Sequence, residues 1–280
     1  MKIGKQILYY RKRKGLTQEQ LAGEIGVSFQ TVSSWENDEY LPQVEKLEIL
    51  ANALDVTISD ICSEVPFDGS KWELNDRMFS EDHMYKFIRT AASAGGLKQT
   101  TKALPYARKM HGGQIRTGKA RIPYISHPLL MACDALALGL NQDDLIATIL
   151  LHDVCEDCKD EVGQKIDPLD LPVGTQVQEA VRLLTKPEEE IDDWREIYFE
   201  GIKNNRLATI TKVLDRCNNI STMATGFSKE KMSKYIMTTE QYVLPLLDIM
   251  KNDYGDTCYN AAFLIKYQML SILESLKRLL

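Results

Sequence analysis

Leu150-Leu151-His152-Asp153-Val154-Cys155-Glu156-Asp157 is the stretch most able to do chemistry, with a His-Asp pair four residues ahead of a Glu-Asp pair. On a helix, residues four apart share a face, so His152 would lie above Glu156 and Asp153 above Asp157. One face would then carry an imidazole and three carboxylates. That set suits a divalent cation with an acid/base pair beside it. A solvated polar helix end would have the same composition, so the rest of the chain must decide.

Downstream, Lys212-Val213-Leu214-Asp215-Arg216-Cys217-Asn218-Asn219 places a carboxylate among core residues. A carboxylate in that setting is costly unless a cation or donor meets it. With His127 and His152-Asp153 it completes a set of two His and two Asp. Mixed imidazole and hard oxygen donors suit Mn²⁺, Fe²⁺ or Zn²⁺, and the carboxylate share favours Mn²⁺. Taken singly, His83, His111, His127 and His152 read as ordinary hydrogen-bonded histidines. Cys155-x-x-Cys158 has redox or zinc spacing but no second pair, and six cysteines in 280 residues are not a disulfide framework. They read as incidental thiols of a reducing compartment.

The elements that must position these groups are helical. Apolar residues recur at three and four and seldom alternate, so the expected class is all-α. Helices are expected over Ser80 to Ala94, Thr100 to His111, His127 to Leu138, Asp143 to Glu156, Val177 to Thr185, Glu188 to Asn204 and Arg206 to Thr222. The apolar tail from Cys258 to Leu280 reads as buried or used for dimerisation. Pro, Gly and Ser punctuate Glu64 to Ser70, which divides the chain into residues 1–64, a linker with a helix over 65–95, and a second domain over 96–280.

Within residues 1–64, Thr17 can cap a helix with Gln20 as its capping-box partner, and Ser28 can cap the next after Gly26. Two short helices around a glycine turn make a helix-turn-helix. A net charge of −6 argues against nucleic-acid binding through bulk charge, although local basic clusters remain open to it. No apolar run reaches the roughly 18–20 residues of a bilayer span, and the N-terminus lacks a signal core, so the expected location is the cytoplasm with no membrane partner.

Leu16 to Ala22, Gly26 to Ser28 and Thr31 to Glu36 resemble the Cro/repressor-like (XRE) DNA-binding family. The resemblance implies a lambda-repressor-like fold in which Gln18 meets phosphate and Phe29, Gln30 and Ser34 face base edges. Arg11 to Lys14 could touch the backbone. Glu36, Asp38 and Glu39 sit awkwardly for DNA, so a protein-binding or dimerising helix-turn-helix stays open. Paired half-sites would make the protein a homodimer.

His111 to Gly118, Ile122 to Pro128, Leu151 to Asp157, Leu184 to Lys186 and Lys212 to Asn219 resemble the RelA/SpoT-type hydrolase domain of the HD phosphohydrolase superfamily, closest to the stand-alone small alarmone hydrolases. That resemblance spans about residues 96 to 225. It implies an HD-domain helical hydrolase that removes the 3′-pyrophosphate from (p)ppGpp. His127, His152, Asp153 and Asp215 would hold Mn²⁺, and Glu156 and Asp157 would position or deprotonate the attacking water. Arg116, Lys119, Tyr124, Lys212, Asn219 and Thr222 would surround the nucleotide. The segment from Arg116 to Tyr124 looks longer than in the long enzymes, which leaves Lys119 and Arg121 without one-to-one matches. Cys217 and Asn218 stand where Leu-like and His residues are common, and neither change is expected to touch a ligand. Another nucleotide substrate, or a regulator whose second domain only senses a nucleotide, remain the alternatives.

Overall fold

The computed structural model describes residues 3–62, 79–116, 122–187, 193–278 and 280. The chain divides into two compact units, Met1–Trp72 and Glu73–Leu280. Both are helical, and among the described residues only the isolated bridges Ile115–Pro123 and Lys159–Lys165 have β geometry.

The first unit holds α1 (Gly4–Arg13), α2 (Gln18–Ile25), α3 (Phe29–Glu36), α4 (Val44–Leu54) and α5 (Ile58–Cys62). Local chemistry starts and stops them. Thr17 and Gln20 form the expected capping box, Gly26 closes α2 in the left-handed region, and Ser28 accepts from the Thr31 amide. Ile7, Leu21, Val32 and Leu50 make a closed apolar core. Gly4 is required where α1 meets the end of α3, because a Cβ there would collide with the Trp35 and Glu36 carbonyls.

Glu36 does not face outward. Arg11 Nε donates to Glu36 Oε1 at 2.5 Å and its Nη2 to Oε2 at 2.9 Å, with both side chains buried. The expectation that Arg11 could reach a nucleic-acid backbone is therefore corrected, because its guanidinium joins α1 to α3. Lys14 is also engaged, with the Ala53 carbonyl and Asp55. Glu36→Gln keeps the shape and loses the charge-assisted bonds, so it should destabilise this unit by about 1.5–3 kcal/mol. Calorimetric unfolding would check this, and an unshifted transition would contradict it.

The second unit begins with α6 (Glu81–Gly95) and α7 (Lys98–Met110). Next come α8 (Ser126–Ala137), α9 (Asp143–Leu151) and α10 (Val154–Asp157), then α11 (Thr175–Leu184), α12 (Trp194–Lys203) and α13 (Arg206–Thr222). The last three helices are α14 (Lys229–Thr238), α15 (Leu244–Asp253) and α16 (Asp256–Lys277). Every residue from Leu145 to Leu151 is buried, as expected of a helix apolar all round. α9 is the hub, packed by α7, α8, α11 and α13. The helix that the sequence placed in a linker, α6, buries Met84 and Ile88 in this core against α7 and α8.

One expected helix is broken. Asp143 to Glu156 is not continuous, because α9 ends at Leu151 and His152-Asp153 form the turn into α10. The face that was to carry His152 above Glu156 does not form. The break instead turns the His152 and Asp153 side chains toward α8 and α13.

Candidate metal centre and nucleic-acid face

Three elements bring the candidate ligands together. His127 lies in the first turn of α8, His152 and Asp153 in the α9–α10 turn, and Asp215 mid-way along α13. His127 Nε2 is 3.3 Å from Asp215 Oδ1 and 3.7 Å from Asp153 Oδ2. His152 Nε2 is 3.1 Å from Asp153 Oδ2 and 4.0 Å from Asp215 Oδ1. His127, His152 and Asp215 are buried and offer ligand atoms within 4.8 Å of one another, so they could hold a metal ion.

Hydrogen bonding fixes both imidazoles for that task. His127 Nδ1 donates to Asn218 Oδ1 at 2.7 Å, and His152 Nδ1 donates to the Ile149 carbonyl at 2.8 Å. Each Nε2 atom then faces inward. His152 Nε2 is buried with no hydrogen-bond partner, although a carboxylate is near. An orphaned buried nitrogen beside two carboxylates is what a divalent cation satisfies, so the donor set fits the implied metal.

Electrostatics agree. Burial works against charge on His152, but Asp153 and Asp215 outweigh it and push its pKa up to about 9 without metal. Burial alone would raise Asp215, and Lys212 with the two histidines hold it well below the ordinary carboxylate range. A cation must displace the His152 proton, so its uptake should release protons at neutral pH. Titration calorimetry in two buffers of different ionisation enthalpy would show unequal heats, and equal heats would contradict this.

Tyr124, Lys212 and Asn219 are hydrogen-bonded to the candidate ligands. Tyr124 Oη donates to Asp153 Oδ2 at 2.6 Å, and its ring stacks on His111 at 4.9 Å. Lys212 Nζ donates to Asp215 Oδ2 at 3.0 Å, and Asn219 Nδ2 donates to Oδ1 at 2.5 Å. Arg116 reaches back to Asn219 Oδ1 at 2.7 Å and Asn218 Oδ1 at 3.3 Å. Thr222 lies a turn beyond, its hydroxyl on the Asn218 and Asn219 carbonyls of its own helix. Lys119 and Arg121 fall outside the described residues.

The two acids part company. Glu156 pairs with Lys186 at 2.6 Å rather than lining the ligand group. Asp157 is open to solvent, and crowding by protein together with Asp153 and Glu156 raises its carboxyl above the ordinary value. Gln114 Nε2 donates to the Asp157 carbonyl at 3.0 Å, which fixes its amide so that Oε1 accepts from His111 Nδ1 at 2.8 Å. His111 Nε2 is buried and unpartnered. Cys155 and Cys158 are free buried thiols, pushed by burial to about 12 and about 11.

Gln114, Lys186 and Asn218 were not assigned roles from the sequence, although each lies in a block that carried the resemblance. Asn218 is not itself a candidate ligand, but its Oδ1 accepts from His127 Nδ1. Truncating such an outer partner typically costs 10–100-fold in metal affinity. Asn218→Ala should weaken divalent-cation binding by about that factor, and an unchanged dissociation constant would contradict it.

In the first unit, Phe29 and Gln30 open α3 and are exposed. Gln18 Nε2 donates to Glu36 Oε2 at 2.8 Å, and Ser34 Oγ donates to Glu39 Oε2 at 2.8 Å. Both side chains are thus engaged within the unit. Asp38 accepts from the Gly4 amide at 2.7 Å.

Residues 7–61 match the family model described as "Helix-turn-helix". The Vibrio cholerae cryptic phage CTXphi transcriptional repressor RstR is 39% identical over 71 residues, 25% of this chain and 63% of that protein. A guanosine-3′,5′-bis(diphosphate) 3′-pyrophosphohydrolase of Haemophilus influenzae is 26% identical over 184 residues, 61% of this chain. The match spans only 26% of that relative's length. A solved structure reported as a metazoan orthologue of SpoT that hydrolyses ppGpp aligns at a TM-score of 0.48 and 20% identity, over 61% of this chain and 96% of that one. The chain thus joins a helix-turn-helix domain of the XRE type to a segment homologous to (p)ppGpp 3′-pyrophosphohydrolases.

Proposed function

We propose that the second unit is a Mn²⁺-dependent hydrolase that removes the 3′-pyrophosphate of (p)ppGpp, joined to a DNA-binding unit in a homodimeric transcription regulator. The observation that carries the reading is the meeting of His127, His152, Asp153 and Asp215 around an orphaned His152 Nε2. These four residues would hold the cation, which supplies Lewis-acid polarisation of the phosphoryl group and makes water easier to deprotonate.

The chain's own residues do the rest. Asp157 is solvent-accessible and its carboxyl is raised, so its side-chain oxygens suit taking a proton from water and returning it to the leaving oxygen. Glu156 is anchored by Lys186 beside it and helps to orient that water. Tyr124 and Asn219 keep Asp153 and Asp215 aimed inward. Arg116 is placed to leave its amide partners for phosphate, since a guanidinium can fork onto two phosphate oxygens. Lys212, Lys119 and Thr222 complete the proposed nucleotide contacts. In the first unit, Phe29 and Gln30 would read base edges, with Gln18 and Ser34 released from their acidic partners on binding.

A nucleotide sensor is the second reading, and the Glu156–Lys186 pair favours it by withdrawing one of the two acids from the ligand group. Turnover of a nucleotide panel with Mn²⁺, with products identified, separates the two. The hydrolase reading expects pyrophosphate from ppGpp. Tight binding of ppGpp that leaves it intact would replace it with the sensor.

A further inference from the structure

α16 carries apolar side chains on its outward side as well as on its buried one. Cys258, Ala262, Ile265, Met269 and Leu273 are buried in the core of the second unit. On the other side Tyr259, Phe263, Leu264, Tyr267 and Leu270 are between 39% and 71% exposed. Phe263, Tyr267 and Leu270 follow the four-then-three spacing of one helix face, with Tyr259 and Leu264 flanking it. A fully exposed aromatic side chain offers about 150–250 Å². Three partly exposed rings and two leucines therefore leave roughly 400–500 Å² of contiguous apolar surface, near the upper end for a monomer.

The polar ends of the same face are opposite in sign. Asp256 opens it, in the first turn of α16, and Arg278 closes it at the C-cap, both exposed. The helix is 22 residues long, about 33 Å at ~1.5 Å rise per residue. If two copies lie antiparallel about a two-fold axis at Tyr267, Asp256 of each meets Arg278 of the other. Tyr267 then meets its own copy, Glu274 meets Asn260, and Leu264 and Leu270 line the two flanks of the seam. An isologous interface requires this self-complementarity. A parallel pairing would set Asp256 on Asp256 and Arg278 on Arg278.

The geometry points to the outer face of α16 as the surface on which two copies of this chain dimerise, antiparallel and centred on Tyr267. Two such patches bury roughly 800–1,000 Å² of apolar surface, and the polar rim carries the total past the ~1,000 Å² expected of a specific interface. The buried aromatics at its centre match where binding energy concentrates. This inference rests on the exposed face alone and stands or falls separately from the hydrolase reading.

Sedimentation velocity on the full chain, from about 1 to 100 µM, tests it. Wild type should show a concentration-dependent dimer. Phe263→Glu with Tyr267→Glu should raise the dimer dissociation constant at least tenfold, with helical content and melting of the chain unchanged. Asp256→Arg should weaken the dimer by several-fold, and adding Arg278→Asp should restore it. A wild-type protein that stays monomeric would overturn the proposal, the face then being covered by the chain's own first unit or by another partner. A dimer indifferent to the paired Glu substitutions, or a double charge reversal without rescue, would overturn it as well.

Discussion

Asp153→Ala should cut turnover by roughly 10³ and remove stoichiometric metal binding together, while both units stay folded. Asp153 lies beside both histidine Nε2 atoms, and its side chain is about one-fifth exposed, so truncation opens no closed cavity. Losing a ligand forfeits several kcal/mol of charge stabilisation in the transition state. At 1.36 kcal/mol per tenfold, about 4 kcal/mol corresponds to roughly 10³ in rate. Turnover and bound metal should be measured on one preparation, with circular dichroism confirming the fold. Retained turnover at unchanged metal content would show that Asp153 is not a ligand.

The residue types of the candidate ligand group were legible in the sequence, and their geometry was not. A carboxylate inside the apolar run of α13 advertises a buried partner, and His-Asp ahead of Glu-Asp advertises donors. Caps were readable for the same local reason, since Thr17-Gln20 and Ser28 act within one turn. The α9–α10 break was hidden because Leu150 to Asp157 has helical spacing throughout. Tertiary packing on α8 and α13 selects the turn that aims His152 and Asp153 inward. The partner of Glu156, Lys186, lies thirty residues away and left no local signal. Asn218 was missed because only the fold shows which ring nitrogen of His127 needs an acceptor. Glu36 looked like a surface charge because nothing local reveals that Arg11 is buried against it.

Asp215→Ala should act on stability as much as on chemistry. Burial disfavours the Lys212 ammonium, and its surroundings, Tyr198 and the Asp215 carboxylate among them, shift its pKa above the ordinary value. Removing the carboxylate leaves a buried cation unpaired, which typically costs 3–5 kcal/mol. In chelator-treated protein the second unit's melting temperature should fall by about 6–20 °C, at ~2–4 °C per kcal/mol for a unit of this size. Replacing Lys212 by Met at the same time should recover most of the loss, because an apolar side chain of similar length needs no counter-charge. A single variant that melts like wild type, or a double variant no better than the single, would contradict the pairing.

The central claim is that side chains from α8, the α9–α10 turn and α13 share one cation. Electron spin echo spectroscopy of Mn²⁺ titrated into the full chain reads this most directly, since nitrogen couplings count the coordinated imidazoles. One Mn²⁺ per chain with two nitrogen couplings is expected, one lost in His127→Ala and one in His152→Ala. Binding without nitrogen couplings, or couplings that survive both substitutions, would place the metal elsewhere and remove the basis for the hydrolase reading.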